Sequence, residues 1–275
     1  MGKDRQKASL VLWGAICGDV IGSHYECRPT KDTGFQLFSR YSRFTDDTVC
    51  SIAVADAILN DLPFDETLQR WCRRYAHAGY GGMFRRWIHA AAPLPYNSFG
   101  NGSAMRVSAC GALANSEESV MTLAKESAEV THNHPEGIKG AQATALAIWL
   151  ALQVDGQGER GYIKEQIKKE ISGRFGYNLD RRYVDIQPGY TFDVTCQGSV
   201  PEAMIAFLES DDYESTIRNA VALGGDADTQ AAIAGGIAAA YYGEIPEHIL
   251  REVKGRLPDD MLRVLRTYRH AAETL

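Results

Sequence analysis

The chain has no CxxC pair and no cysteine at zinc-ligand spacing from a histidine, which excludes zinc ribbons and fingers. Its six cysteines, Cys17, Cys27, Cys50, Cys72, Cys110 and Cys196, are scattered among apolar residues and read as free thiols of a reducing cytosol. Basic residues are not in excess: 29 Lys and Arg stand against 35 Asp and Glu, a net charge of −6. A phosphate backbone rewards a basic face, so the charge argues against a generic nucleic-acid binder but not against a phosphate-bearing small ligand. No uninterrupted apolar run reaches the eighteen residues of a lipid-facing span. The opening "MGKDRQKASLVLWGAICGDV" has no cleavage site behind a long apolar core, and Gln6 stands where a myristoylation signal needs Ser or Thr. The expectation is a cytoplasmic protein with no membrane partner.

Helical patterning dominates what is present. "DDTVCSIAVADAILNDL", "FDETLQRWCRRYAHAG", "SAMRVSACGALAN", "SEESVMTLAKESAEVTH" and "PEGIKGAQATALAIWLALQ" each carry apolar residues at helix spacing or helix start and stop signals. "ERGYIKEQIKKEISGRFG", "SVPEAMIAFLES", "DYESTIRNAVAL" and "PDDMLRVLRTYRHAAETL" follow suit. The strand candidate is "YVDIQPGYTFDV", which Pro188 interrupts. Nothing alternates strand with helix, so a parallel α/β sheet is not expected. Residues 79–102, rich in Gly, Pro and aromatics, read as a long surface loop, and such loops often carry function. Residues 1–275 therefore read as one all-α domain.

Two stretches concentrate acid at the mouths of apolar helices. "ALGGDADTQAAIAGGIAAAYYG" (222–243) has two aspartates followed by a long uncharged run of small residues. "FTDDTVCSIAVADAIL" (44–59) repeats the pattern. Aspartate suits a helix N-cap and the first turn, so capping is the simplest reading of any one of these acids. It does not account for four, because one helix needs one cap, and Thr45, Thr48 and Thr229 offer hydroxyls as well. On a regular helix Asp226 and Asp228 would lie about 200° apart, whereas on an extended approach they point the same way. "GGDAD" is thus a two-toothed claw if the glycines hold it out of the helix until Asp228. Asp46 and Asp47, about 100° apart on a helix, are placed to bridge neighbouring ions. Oxygen-only ligands suit hard cations such as Mg²⁺, Mn²⁺ or Ca²⁺. Four carboxylates and two divalent ions sum to zero charge, and a metal pair can clamp a sugar diol or activate water.

At these residues the sequence resembles the ADP-ribosylglycohydrolase family, the dinitrogenase-reductase-activating glycohydrolases and ADP-ribosyl-acceptor hydrolases. The likeness runs nearly full length and in order through "GAICGDVIGSHYE", "FTDDT", "SFGNGSAMRVS", "THNHPEGIKGAQATALA", "SVPEA" and "GGDADT". It implies a compact helical fold with two Mg²⁺ ions (Mn²⁺ as a substitute) in a cleft that cleaves ADP-ribose from an acceptor. By the same resemblance Thr45, Asp46 and Asp47 form one ligand set, and Asp226, Asp228 and Thr229 the other. Glu26 matches an acid beside the substrate. Ser98, Phe99, Gly100, Asn101, Gly102 and Ser103 match the segment that wraps the diphosphate, His132 a histidine near it, and Gly225 falls on the substrate side.

Several of these positions can be argued from their chemistry. Glycine in "NSFGNGSAM" lets backbone N–H groups approach a phosphate, and Phe99 could stack on adenine; a surface turn with an anchoring aromatic is the plain alternative. His132 reads as a ligand contact or a helix C-cap, and His134 as structural; no third nitrogen or sulfur ligand accompanies the pair. Asp19 reads as a helix-end acid or as support for the metal ligands, and Cys50 and Cys110 as core. Arg85, Arg86 and Trp87 are expected on the acceptor side. Hydrolysis is expected through an oxocarbenium-like transition state, with Glu26 handling a proton or placing water and Asp228 as the base if a ligand carboxylate does that work. "GSHYE" and "SFGNGSAMRV" resemble the serine- and acetyl-type branch more than the arginine type. The partner is an ADP-ribose-bearing protein, small molecule or nucleic acid, and the chain is expected to act as a monomer. A non-catalytic ADP-ribose-binding module and a Mg²⁺-dependent phosphatase or nucleotidase are the alternatives.

Overall fold

The first helix of the chain, buried on every side over Gly14–Gly22, becomes the axle of the fold. The structure, a computed structural model, describes residues 4–153 and 160–274. Among these residues the helices in chain order are α1 (Arg5–Gly22), α2 (Asp46–Asn60), α3 (Phe64–Arg74), α4 (Gly82–His89), α5 (Ser108–Leu113), α6 (Glu117–Glu129) and α7 (Pro135–Ala151). They continue as α8 (Arg160–Phe175), α9 (Tyr183–Ile186), α10 (Cys196–Leu208), α11 (Tyr213–Ala222), α12 (Ala227–Tyr242), α13 (Glu247–Lys254) and α14 (Asp259–Thr274). No strand occurs among the described residues; an isolated antiparallel bridge joins Gly100 to Thr195. No helix of the described residues is long and apolar enough to cross a membrane.

The alanine-rich stretch is α12, and every residue from Ala227 to Tyr241 is buried. A helix buried on all sides carries no charged face, which explains its composition. Its most extensive partner is α1. The approach depends on a glycine row: a Cβ on Gly18 would lie 2.0 Å from the Ala231 carbonyl oxygen, and one on Gly22 2.5 Å from that of Ala227. Tyr213 from α11 and Tyr268 from α14 each donate a hydroxyl to an α1 carbonyl, Gly14 and Ala8, at 2.7 Å. The two buried tyrosine hydroxyls thereby find acceptors inside the core. α12 ends where Gly243 adopts a left-handed conformation, φ +69°.

Three expectations are corrected. "YVDIQPGYTFDV" is not a strand: it opens as the short helix α9 and continues without ladder partners, since Pro188 lacks a donor and no neighbouring strand offers an edge. Residues 79–102 are not all loop. They contain α4, whose Phe84, Trp87 and Ile88 are buried at helix spacing. α3 completes that helix: Gln69 donates to the carbonyls of Trp87 (2.9 Å) and Ala90 (3.0 Å), and Arg73 to that of Ile88 (2.7 Å). "SAMRVSACGALAN" is not one helix but a 3₁₀ turn at Asn101–Ser103 followed by α5. The cysteines are free thiols, buried except Cys27; Cys50 and Cys110 lie in the core.

Candidate active site

α1 and α12 run side by side so that the last turn of one meets the first turn of the other. Asp19, in that last turn, is wholly buried and reaches across to the start of α2. Its Oδ2 accepts the backbone N–H of Thr45 at 2.9 Å and of Thr48 at 3.1 Å, and its Oδ1 accepts the Thr45 hydroxyl at 2.6 Å. The Thr48 hydroxyl donates to the same carboxylate. Asp19, an acid of the last turn of α1, is therefore the clasp that orients the "TDDT" turn. Thr45 is the N-cap of α2, accepting from the Asp47 N–H at 3.3 Å. With the cap filled by Thr45 and the spare donors taken by Asp19, Asp46 and Asp47 are left for other work.

At α12 the chain turns through Gly224 (φ +73°) and Asp226 keeps a non-helical conformation. Asp226 occupies the N-cap position but makes no capping bond. Its Oδ2 instead accepts from the Asn101 amide at 2.7 Å, an amide also bonded to Ser199 Oγ at 2.9 Å. Capping thus does not explain this acid. The two motifs touch directly, since the Thr229 hydroxyl donates to Asp47 Oδ2 at 3.4 Å. Carboxylate oxygens of Asp19, Asp47 and Asp228 lie within 4.8 Å of one another, as do those of Glu26, Asp226 and Asp228.

Burial and mutual repulsion hold this cluster out of its ordinary titration range. Burial, then the charge of Asp19, pushes Asp46 up to about 7. Asp47 and Asp228 rise well above the usual carboxylate range through burial and then the neighbouring Asp19 and Asp47 charges, respectively. Burial raises Asp19 and Asp226. Glu26 is raised by burial and by Asp226 and Asp19, with Arg43 opposing.

The acids and a glycine loop share a cleft of about 290 Å³. Glu26, Asp46, Asp47, Ser98, Gly100, Asn101, Gly102, His132, Asp226, Asp228 and Thr229 line it. Phe99, Ser103, Gly225 and Thr45 do not. The Phe99 ring lies 5.2 Å from that of His134, the Ser103 hydroxyl donates to the Gly137 carbonyl at 2.7 Å, and Gly225 makes room for Tyr190. The Gly100 and Asn101 N–H groups turn inward, to Ser98 Oγ (3.1 Å) and the Val194 carbonyl (2.7 Å). From the 79–96 segment it is Gly79, Gly81, Gly82, Met83, Phe84 and Tyr96 that line the cleft, while Trp87 is core and Arg85 and Arg86 face solvent. Sequence reasoning missed Arg106, Phe192 and Val194, which also line it. Arg106 had a signal, a lone cation in the small apolar run "SAMRVSACGALA". Phe192, 55% exposed, was hidden in the segment read as a strand.

The family model of ADP-ribosylglycohydrolase matches residues 2–273. The chain belongs to the ADP-ribosylglycohydrolase family. It is similar to the ADP-ribosylhydrolase ARH3 of Homo sapiens, 28% identical over 327 residues that cover 91% of this chain and 90% of the relative. The ADP-ribosyl-[dinitrogen reductase] glycohydrolase of Rhodospirillum rubrum is 25% identical, covering 88% of this chain and 84% of its own. The fold matches a solved ADP-ribosylglycohydrolase-related protein complex with a TM-score of 0.71 at 24% identity, over 98% of this chain and 99% of that one. An ADP-ribosylglycohydrolase is an enzyme, and this chain carries the acidic centre that such a hydrolase can use. The donor set fits hard cations: it is all oxygen, and Asp47 Oδ1 is buried with no hydrogen-bond partner.

Proposed function

We propose that the chain hydrolyses the glycosidic bond between ADP-ribose and its acceptor, using two Mg²⁺ ions, with Mn²⁺ as a substitute. The observation that carries this reading is the convergence of two acid sets, about 180 residues apart in sequence, on one wall of a cleft. Thr45, Asp46 and Asp47 would hold one ion, and Asp226, Asp228 and Thr229 the other. Bound ions supply charge neutralisation and a Lewis-acid hold on the ribose hydroxyls. The chain does the rest. Glu26 lines the cleft and is only half-buried, so it can meet substrate, orient the attacking water, take its proton and pass it to the acceptor atom that leaves as the bond to the anomeric carbon breaks. Its raised pKa suits a group that must bind a proton transiently. Asp228, wholly enclosed, is the second candidate base. Ser98, Gly100, Asn101, Gly102 and His132 line the same cleft as the acids, where a diphosphate would lie, with Asn101 reaching Asp226 directly, and Phe192 replaces Phe99 as the aromatic available for stacking. Met83, Phe84 and Tyr96 give the remaining wall an apolar surface that suits a small uncharged acceptor, in keeping with the serine- and acetyl-type resemblance.

The test is turnover of ADP-ribose linked to serine, arginine or a nucleobase, and of O-acetyl-ADP-ribose, with Mg²⁺ or with EDTA, products being identified by mass. Free ADP-ribose is expected with Mg²⁺ and not with EDTA, restored by Mn²⁺. Asp46→Ala is expected to lower turnover by about a hundredfold or more. Inorganic phosphate in place of ADP-ribose would make the chain a phosphatase, and binding without any product would make it an ADP-ribose-binding module.

A further inference from the structure

Behind the cleft, three side chains form a buried relay that sequence spacing does not announce. Arg106 is only 1% exposed, yet it lines the cleft. Its Nη2 donates to the Ser127 carbonyl at 2.6 Å and to the Thr131 hydroxyl oxygen at 2.9 Å. That hydroxyl oxygen lies 2.6 Å from Nδ1 of His132. A guanidinium only donates, so it occupies a lone pair of Thr131 Oγ1 and leaves the hydroxyl proton to be placed elsewhere. The choices are His132 Nδ1 at 2.6 Å and the Ala128 carbonyl at 3.3 Å. The Ala128 carbonyl already accepts the backbone N–H groups of Thr131 (3.1 Å) and His132 (2.7 Å). The shorter, unsatisfied acceptor is Nδ1.

We propose that Arg106 and Thr131 are positioning residues that lock His132 as the neutral Nε2–H tautomer, presenting that N–H to an anionic oxygen of the ADP-ribose diphosphate. If Nδ1 accepts, the ring proton must sit on Nε2. Nε2 faces the glycine loop: a Cβ on Gly102 would stand 3.3 Å from it and one on Gly100 3.5 Å, so glycine at both positions keeps the approach to this nitrogen open. Burial and the Arg106 charge hold His132 well below the ordinary histidine range, which keeps the ring neutral. Arg106 thus does two things through one side chain. It sets the tautomer by way of Thr131 and brings a fixed positive charge to the lining of the cleft.

This inference rests on the proposed function for its ligand, but its first readout does not. In ¹⁵N-histidine NMR of the full chain without ligand, with the signal assigned through His132→Gln, His132 is expected as the neutral Nε2–H form from about pH 6 to about pH 8. Thr131→Val keeps the shape and removes the hydroxyl. It is expected to lose the single-tautomer signature and to weaken ADP-ribose binding roughly tenfold. KM should rise with kcat nearly unchanged, because the diphosphate is remote from the bond that breaks. Thr131→Ser should restore both the signature and the affinity. A wild-type Nδ1–H tautomer, a charged ring at neutral pH, or unchanged ADP-ribose affinity in Thr131→Val would each overturn the relay. A wild-type chain with no affinity for ADP-ribose would overturn the functional reading instead, with the NMR signature still deciding the tautomer.

Discussion

Replacing Asp228 with asparagine is expected to abolish turnover while leaving the metal-free protein at least as stable as the parent. Asp228 is buried among Asp19, Asp47, Asp226 and Glu26, and in the absence of cations each ionised neighbour raises the free energy of the others. Asparagine keeps the shape and removes one charge from that repulsion. It also removes an anionic oxygen donor from the centre of the cluster, so activity should fall by about a thousandfold or more. Thermal melts in EDTA and in Mg²⁺ separate the two effects: the parent should gain stability from Mg²⁺ and the variant little. The pH dependence follows with a definite sign. Asp46 moves from an ordinary 3.8 to about 7 in the folded chain. Between those values the folded state binds more protons than the unfolded one, so metal-free stability falls as pH rises through that window. The melting temperature in EDTA should then drop between about pH 5 and about pH 8, and the increment from Mg²⁺ should be larger at the higher pH. An equal or larger increment at the lower pH would mean that the cluster is not what the ions relieve.

The largest effect on folding is expected from a single methyl group at Gly18. A Cβ there would lie 2.0 Å from the Ala231 carbonyl oxygen and 2.4 Å from its carbon, both backbone atoms of a fully buried helix. Neither side can yield without separating α1 from α12. Gly18→Ala should destabilise by about 3 kcal/mol or more, lowering the melting temperature by roughly 10 °C. The loss should reach the site, because Asp19 is the next residue and its clasp on Thr45 and Thr48 depends on where α1 lies. Gly173→Ala is the matched control. It sits inside α8 with nothing within 4 Å of its added methyl group, so it should stabilise by up to about 1 kcal/mol. Similar melting temperatures for the two variants would refute the glycine row as the joint that brings the acids together.

Much of this architecture was legible where periodicity or chemistry was redundant. The acids of "FTDDT" and "GGDADT" stood out because two helices do not need four caps, and both pairs do face one cleft. Amphipathic helices such as α6 and α14 were legible from their mixed faces. The central role of α1 was not, because its stretch from Gly14 to Gly22 is buried on every side and has no polar face to mark its period. α4 was obscured by flanking Gly and Pro, and its C-terminal end is completed by Gln69 and Arg73 from α3, a tertiary contribution that no local pattern contains. Phe99 and Phe192 show the same limit at the site. Sequence marks an aromatic near the glycine loop but not which aromatic ring the fold turns toward the cleft. Arg106 stood out as a lone cation in an apolar run, but its role did not, since its partners Ser127 and Thr131 are more than twenty residues away.

The central claim is that Asp46, Asp47, Asp226 and Asp228 hold a pair of hard cations between α2 and α12. Anomalous diffraction from crystals grown with Mn²⁺ tests it most directly. The account predicts two peaks within coordination distance of those four carboxylates, and their loss in Asp228→Asn crystals. Peaks bound elsewhere on the chain, or none at saturating Mn²⁺, would contradict it.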